Sequence, residues 1–486
     1  MSIRSVVANR VSQVAGDEAL YADRVRVYPR AVRGIARNIK WALLIFCLGV
    51  YYVLPWLRWN RGVGNPDQAL LLDLATERFY FFNLTFWPQD FILLAGGLIL
   101  AAVALFLVTS LFGRIWCGYA CPQTVWTDLF MLVERWIEGD RNARMRRDAG
   151  PTNFDKIWRK IGKHGIWLFV AFWTGGGWIM YYTDAPTVTV DFWTGRASGA
   201  VYGFTFLFAA ATYVLAGWAR EQVCTYMCPW PRFQSAMLDE QTLIVTYQGW
   251  RGEPRGHGKR DGHSELGNCV DCSACVHVCP TGIDIRDGVQ LECIGCGLCV
   301  DACNDIMTRT NQPLWLIKWD TLARQAEHAK GETVEPIRLI RPRTLIYLAV
   351  LAMAVAAMGV GLAMRSLLEV SVQHERAPLF VRLHDGSLRN AYTLKLVNKY
   401  THDVSFTVAT DTSLRAKLQL AGATDAPADT VTILVPADSV GAYRVFLDAP
   451  PGGAEAKNDD ITFELRDTTD DILIERRANF IGPGKP

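Results

Sequence analysis

Eight of the chain's 13 cysteines fall into two ladders whose spacing suits one chemistry above others. The first reads Cys269-x-x-Cys272-x-x-Cys275-x-x-x-Cys279-Pro280, and the second repeats it as Cys293-x-x-Cys296-x-x-Cys299-x-x-x-Cys303. Thiolates hold iron–sulfur clusters. A C-x-x-C-x-x-C loop wraps three ligands round one cube, and the fourth cysteine, further on, ligates the other cluster. The spacing therefore assigns Cys269, Cys272, Cys275 and Cys303 to one [4Fe–4S] cluster, and Cys293, Cys296, Cys299 and Cys279 to a second. Structural zinc is the rival use, but zinc ordinarily takes two separated C-x-x-C pairs. Asn304 stands where the first ladder has Pro280. Proline is not a ligand, so the assignment is unaffected.

Four further cysteines form a second pattern. Trp116-Cys117-Gly118-Tyr119-Ala120-Cys121-Pro122 and Val223-Cys224-Thr225-Tyr226-Met227-Cys228-Pro229 are both C-x-x-x-C-P, each just after a long apolar run. If a helix continues through each motif, its two sulfurs share one face. The proline removes an amide donor and kinks or restarts the helix. The two matching positions read as an internal duplication of parallel repeats. The pairs are expected to converge into a four-thiolate site at the cytoplasmic membrane surface. Soft thiolates favour Cu(I), zinc or an iron–sulfur cluster, and the Met227 thioether is a further soft donor; the residues alone leave the metal open. The remaining thiol, Cys47, reads as a packing residue. His257 and His263 read as loop residues and His277 as a neighbour of the first cluster rather than a ligand. No apolar run offers paired histidines on facing helices, which disfavours a transmembrane haem.

These motifs need elements to hold them. Half of the 486 residues are hydrophobic while net charge is only +2, a combination that points to a membrane protein with soluble parts. With no basic tail block and no glycine-rich phosphate loop, nucleic-acid and nucleotide binding are not indicated. Five uncharged runs approach the roughly 20 residues that cross a bilayer: Trp41–Leu57, Phe91–Phe112, Gly165–Tyr182, Ala197–Ala219 and Thr344–Met364. The Gly175-Gly176-Gly177 run suits close helix approach. The 40-residue lead places its first apolar run too late for a cleaved signal peptide.

Orientation follows from Lys and Arg in the loops. The lead carries eight and Gly113–Lys163 ten, against three in Arg58–Pro88 and one in Thr183–Arg196. The lead, Gly113–Lys163 and Arg220–Arg343 are thus expected in the cytoplasm and the tail after Met364 outside. Every motif cysteine then lies on the reducing side, where disulfides are rare. After Pro122, the residues Val125, Leu129, Leu132, Val133 and Trp136 have helical spacing and predict an interfacial helix. From Val370 onward the pattern alternates with period two, as in Tyr392–Leu396, Ser405–Val408, Val431–Val435, Tyr443–Leu447 and Ile461–Leu465, with turn residues such as Pro450-Pro451-Gly452-Gly453 between runs. This predicts an antiparallel, immunoglobulin-like β-sandwich.

The expected fold is a multi-domain membrane protein: a five-helix α-helical transmembrane bundle, an inserted cytoplasmic bacterial-type 2[4Fe–4S] ferredoxin domain, and a C-terminal all-β immunoglobulin-like sandwich. The expected divisions are an N-terminal tail (1–40), a first transmembrane hairpin (41–112), a loop with the first C-x-x-x-C-P (113–163), a second hairpin (164–219), the second motif and a connector (220–268), the ferredoxin domain (269–310), a linker (311–343), a fifth transmembrane helix (344–364) and the outer β domain (370–486).

The two C-x-x-x-C-P motifs, the double ladder, the lead Tyr28-Pro29-Arg30-x-x-x-Gly34 and the β domain together resemble the cytochrome c oxidase accessory protein family (FixG, RdxA, CcoG), membrane-bound polyferredoxins. The resemblance covers essentially the whole chain. It implies a bacterial inner-membrane protein that reduces Cu(II) to Cu(I) for assembly of a cbb-type cytochrome c oxidase. Cys117, Cys121, Cys224 and Cys228 would be its copper or redox site, and the ladder cysteines its electron store. Its implied partners are the bilayer, a cytoplasmic electron donor, copper or a copper chaperone, oxidase subunits and a second copy of the chain. Two other readings share these motifs: a quinol or ferredoxin dehydrogenase module of the NapH or NosR type, and an oxidase assembly scaffold without turnover.

Overall fold

The computed structural model describes residues 26–62, 65–258, 266–400, 402–411, 414–423, 426–451, 458–468 and 471–483. Arg4, Arg10 and Arg24 of the lead, His263 and the Gly452-Gly453 turn lie outside the described residues. The chain divides into two compact units, one of residues 1–57 and 68–355, the other of residues 58–67 and 356–486.

In the first unit, α1 (Ile35–Val53) begins before the apolar run and takes Arg37 and Lys40 into its first two turns. A 3₁₀ turn extends it to Trp56, with Pro55 inside that turn, where a missing amide costs least. Next come α2 (Phe91–Phe112), α3 (Ile115–Tyr119), α4 (Pro122–Glu138), α5 (Phe154–Ile179) and α6 (Gly199–Thr212). A π-helical turn, Tyr213–Ala219, prolongs α6. Among the described residues, four segments are long and apolar enough to cross a membrane: Ile35–Trp56, Pro88–Phe112, Gly199–Ala219 and Pro342–Ala363. The helix α5 differs from its expected extent. It starts at Phe154, so Lys156, Arg159, Lys160 and Lys163, expected in a loop, are helical. Asn153 caps it, its Oδ1 accepting the Lys156 amide at 2.9 Å. Of the three glycines in α5, Gly175 lies against the Thr205 carbonyl and the Ala209 amide of α6, and Gly177 faces Tyr51 of α1, while Gly176 has open space beside it. Close approach is thus specific to two of the three positions.

Two segments expected as loops are structured. β1 (Leu70–Asp73), β2 (Arg78–Phe81) and β3 (Leu84–Phe86) form an antiparallel sheet between α1 and α2. Ala185–Trp193 is helical, with Asp184 as its cap. Beyond the second C-x-x-x-C-P come α7 (Trp230–Met237), β4 (Ile244–Tyr247), α8 (Ala274–Val278), α9 (Leu298–Arg309) and β5 (Ile317–Asp320). β4 and β5 pair antiparallel, Ile244 opposite Asp320, and so clamp both ends of the ladder region. The stretch 311–343 is therefore not a plain linker: it supplies β5 and the helix Leu322–Lys330. The helix α10 (Pro342–Ala363) buries none of its residues, as an all-apolar span facing lipid would.

The second unit is antiparallel β structure in two sheets. One runs β10 (Lys417–Leu420), β12 (Ser439–Ala449), β8 (Leu388–Asn398), β6 (Leu368–His374), with β7 (Val381–Arg382) also on β8. The other runs β11 (Thr430–Val435), β9 (Val404–Asp411), β13 (Asn458–Asp467), β14 (Leu473–Ile481). Alternate residues point inward, and both sheets contribute to one core that includes Tyr392, Leu394, Leu396, Phe406, Val408, Phe463 and Phe480.

Candidate functional site: the thiol ladders and the paired motifs

The two ladders share one backbone plan. Asp271 and Ser273 in the first, and Gly295 and Gly297 at the equivalent places in the second, all have left-handed φ, between 51° and 69°. These reversals wrap each C-x-x-C-x-x-C loop around a hollow. Glycine adopts the conformation freely. Gly297 is required twice over, because a side chain there would strike the Trp319 ring. A short helix follows each loop, α8 after the first and α9 after the second, so Cys275 and Cys299 sit in first helical turns.

Two cavities result. Cys269, Cys272, Cys275 and Cys303 line one. Cys279, Cys293, Cys296 and Cys299 line the other, where Cys275 also reaches the wall. All the cysteines are free thiols. Burial pushes the Cys275, Cys303 and Cys293 thiols up to about 12, and neighbouring thiols push Cys303 further in the same direction. Thiolates at such places need a bound cation, which is what a metal centre supplies. Among the described residues, no three His, Cys, Asp or Glu side chains converge as ligands of a single ion. Ligands of a cube stand further apart, since each binds its own iron; the eight ladder thiols suit that chemistry. His277 lines neither thiol cavity, and its backbone carbonyl accepts the Arg30 amide at 2.8 Å. His257 is exposed.

The paired motifs differ from continuous helices. Cys117 is buried in α3, but Cys121 is extended (ψ 128°) and caps α4, whose first residue is Pro122. Cys224 lies in a π-helical turn, Val223–Met227, and Cys228 is extended too (ψ 122°), its amide reaching back to the Val223 carbonyl at 2.7 Å. The reason is local: proline clashes with a helical residue before it, so the second cysteine of each motif must leave the helix. The four thiols are nevertheless electrostatic neighbours. Burial first, then repulsion from Cys121 and Cys228, raises Cys117 to about 11 against the opposing charge of Arg114. Burial, then Cys121, Cys117 and Cys228, raises Cys224 to about 12. Gln234 of α7, fully buried, accepts from Cys117 Sγ at 3.1 Å and from Arg114 Nε at 3.3 Å. Gln123 of α4 donates to the Leu215 carbonyl at 2.8 Å. Gln234 thus holds the Cys117 thiol, and Gln123 ties α4 to the π-helical turn of the second repeat.

This site touches the second ladder. A Cβ on Gly118 would lie 2.8 Å from the Ile294 carbonyl and 3.0 Å from Cys296 Cα. Tyr119 Oη donates to the Cys296 carbonyl at 2.9 Å. The ladder region is also tied to α1. Asp301, between Cys299 and Cys303, accepts the Ala36 amide at 3.2 Å and the Arg37 amide at 2.8 Å, capping α1 from outside its own sequence. Gly34 admits that carboxylate, which would collide with any side chain there.

The helix α4 carries the charges that surround this joint. Asp128, Glu134 and Glu138 are all buried. Asp128 pairs with Arg37 at 2.9 Å, Glu134 with Arg144 at 2.6 Å and Arg220 at 3.0 Å, and Glu138 with Lys163 at 2.9 Å. Burial alone would raise the Glu134 carboxyl, yet Arg220, Arg144 and Lys163 hold it at about 2. Sequence periodicity found the apolar face of α4 but not this ionic one, nor Gln234 and Asp301, whose partners lie far away in the chain.

Three family descriptions match: a 4Fe–4S binding domain over residues 94–140, a 4Fe–4S dicluster domain over residues 219–322, and the IG-like fold at the C-terminus of FixG over residues 358–483. The chain is 44% identical to nitrogen fixation protein FixG of Rhizobium meliloti (strain 1021), across 96% of this chain and 94% of that one. It belongs to the FixG/RdxA/RdxB family. Protein RdxA of Cereibacter sphaeroides is 45% identical across 90% of this chain and 92% of its own length, and protein RdxB of the same organism 44% across 96% and 98%. This FixG-family chain is a membrane-associated iron–sulfur electron-transfer protein with two 4Fe–4S domains.

Proposed function

We propose that this protein carries electrons from a cytoplasmic donor through two [4Fe–4S] clusters to Cys117, Cys121, Cys224 and Cys228, where Cu(II) is reduced to Cu(I) for assembly of a cbb-type oxidase. Cys269, Cys272, Cys275 and Cys303 hold one cluster, and Cys293, Cys296, Cys299 and Cys279 the other. The clusters supply one-electron storage. The chain's own residues place that store against the exit. The packing of Gly118 and Tyr119 on Cys296 carries this reading, because it sets the first C-x-x-x-C-P motif in direct contact with the second ladder.

Copper is the substrate: each Cu(II) takes one electron, and thiolates favour the Cu(I) product. No three of the four thiols form a single-ion cage. In this reading α5 crosses the membrane as a fifth span, its lysines and arginines at the cytoplasmic end, and the β-sandwich lies outside the inner membrane, following the loop charges.

The test is anaerobic. Reduced protein, freed of excess reductant, receives Cu(II) with a Cu(I)-specific chelator beside a variant with all four cysteines changed to Ser. Fast Cu(I) formation that the variant loses, at equal iron content, supports the reading. Equal rates refute copper reduction at this site.

A further inference from the structure

A groove of about 270 Å³ lies between the N-terminal lead and the ladder helices α8 and α9. Its floor is apolar, with Ala274, Val278, Ala302 and Ile306, and Arg30 and Arg33 stand on its rim. Both arginines are exposed. Among the described residues neither guanidinium has a carboxylate partner, whereas Arg309 on the same rim is paired with Asp305 at 2.8 Å. Ala274 and Ile306 also line the cavity of Cys269, Cys272, Cys275 and Cys303. One layer of side chains therefore separates the groove from the first ladder site. The second ladder is occupied elsewhere, where α3 packs on Cys296.

We propose that this groove is the docking site of an acidic one-electron carrier protein, which delivers its electron to the first ladder site. The inference rests on the reading of the ladder cysteines as cluster ligands. Two guanidinium groups with no carboxylate partner among the described residues draw an acidic surface and speed its encounter. The small apolar floor gives the complex a desolvated centre. One electron leaves the carrier and one arrives behind the Ala274–Ile306 wall; no bond or proton changes hands. Anionic lipid is the rival occupant of arginines near a membrane helix. Arg37 and Lys40, in the first two turns of α1, are buried near Asp128. Arg30 and Arg33 precede α1, and the uncharged run that begins at Trp41 starts eight or more residues after them.

The test uses the full-length, cluster-loaded protein in nanodiscs of phosphatidylcholine. Bleaching of its visible absorbance is followed after anaerobic mixing with reduced flavodoxin, an acidic carrier, or with photoreduced deazaflavin, a small reductant that needs no docking site. Arg30→Glu with Arg33→Glu should slow reduction by flavodoxin on the order of tenfold at low salt. The difference should shrink at 1 M salt, where charges are screened beyond about 3 Å. Deazaflavin should reduce both proteins equally, and Arg30→Lys with Arg33→Lys should keep most of the flavodoxin rate. Equal flavodoxin rates in wild type and the Glu variant overturn the proposal, as does an equal loss with deazaflavin. A rate set by the lipid's charge rather than the carrier's also overturns it, as does a manyfold gain on deleting residues 1–25, which would make that segment the occupant. Failure of deazaflavin to bleach the wild type would instead remove the cluster reading beneath it.

Discussion

Gly118→Ala perturbs the joint between the two thiol systems with a single methyl group. The added carbon would lie 2.8 Å from the Ile294 carbonyl and 3.0 Å from Cys296 Cα and its amide nitrogen, all backbone atoms. Ordinary carbon contacts begin near 3.5 Å, so α3 and the second ladder must part by roughly half an ångström or more. Neither neighbour yields easily. The ladder backbone is fixed by its left-handed turns, and α3 is held by the Tyr119–Cys296 hydrogen bond at 2.9 Å. Overpacking of this kind costs about 1–3 kcal/mol. The variant should melt earlier in a tryptophan-fluorescence scan yet keep its iron. Its clusters should be reduced by small reductants as in wild type, while electrons leave them for Cu(II) on the order of tenfold more slowly, a change of about 1.4 kcal/mol in the barrier. The readout is the lifetime of the reduced-cluster signal after Cu(II) is added. A Gly118→Ala protein with wild-type melting and wild-type reoxidation would show that this contact is neither a structural nor an electronic joint.

Gly175→Ala should destabilise the detergent-solubilised protein strongly, because its Cβ meets α6 backbone, whereas Gly176→Ala, facing open space, should be neutral or slightly stabilising; paired melting curves decide. Asp301→Ala should cost about 0.5–2 kcal/mol through the lost cap of α1, and Asp301→Asn, which keeps one acceptor oxygen and turns an NH2 toward the other amide, should recover only part of it. Glu134→Gln should cost about 3–5 kcal/mol at neutral pH, since it leaves Arg144, Arg220 and Lys163 buried without their shared carboxylate. Glu134 is held at about 2 in the fold and titrates near 4.3 in an unfolded chain. Its stabilisation is therefore full above about pH 4.5 and is lost as pH falls toward 2, on the order of 3 kcal/mol in all. The difference in stability between wild type and Glu134→Gln should shrink across that window, and a constant difference would refute the assignment.

The cysteine spacing by itself specified the most about this chain. A ladder with fixed intervals permits few ways to wrap three thiols round one hollow, so the two cavity linings follow the sequence pattern closely. Apolar runs of bilayer length, and alternation after Val370, were equally legible because each reports a local, periodic environment. The geometry of the C-x-x-x-C-P motifs was not legible from their spacing: the rule that a residue before proline avoids the helix outweighs the i, i+4 reading, and Cys121 and Cys228 are extended. What tertiary structure alone decided is how distant pieces meet. Gly118 looked like one more glycine until Cys296 was set against it, 178 residues later. Asp301 carried no sign that it would cap a helix beginning at Ile35. The acidic residues of α4 are buried because cations from α1, α5 and the turn after α6 converge on them. Local pattern records what each residue needs from its own neighbourhood; only folding brings together partners that meet those needs across hundreds of residues.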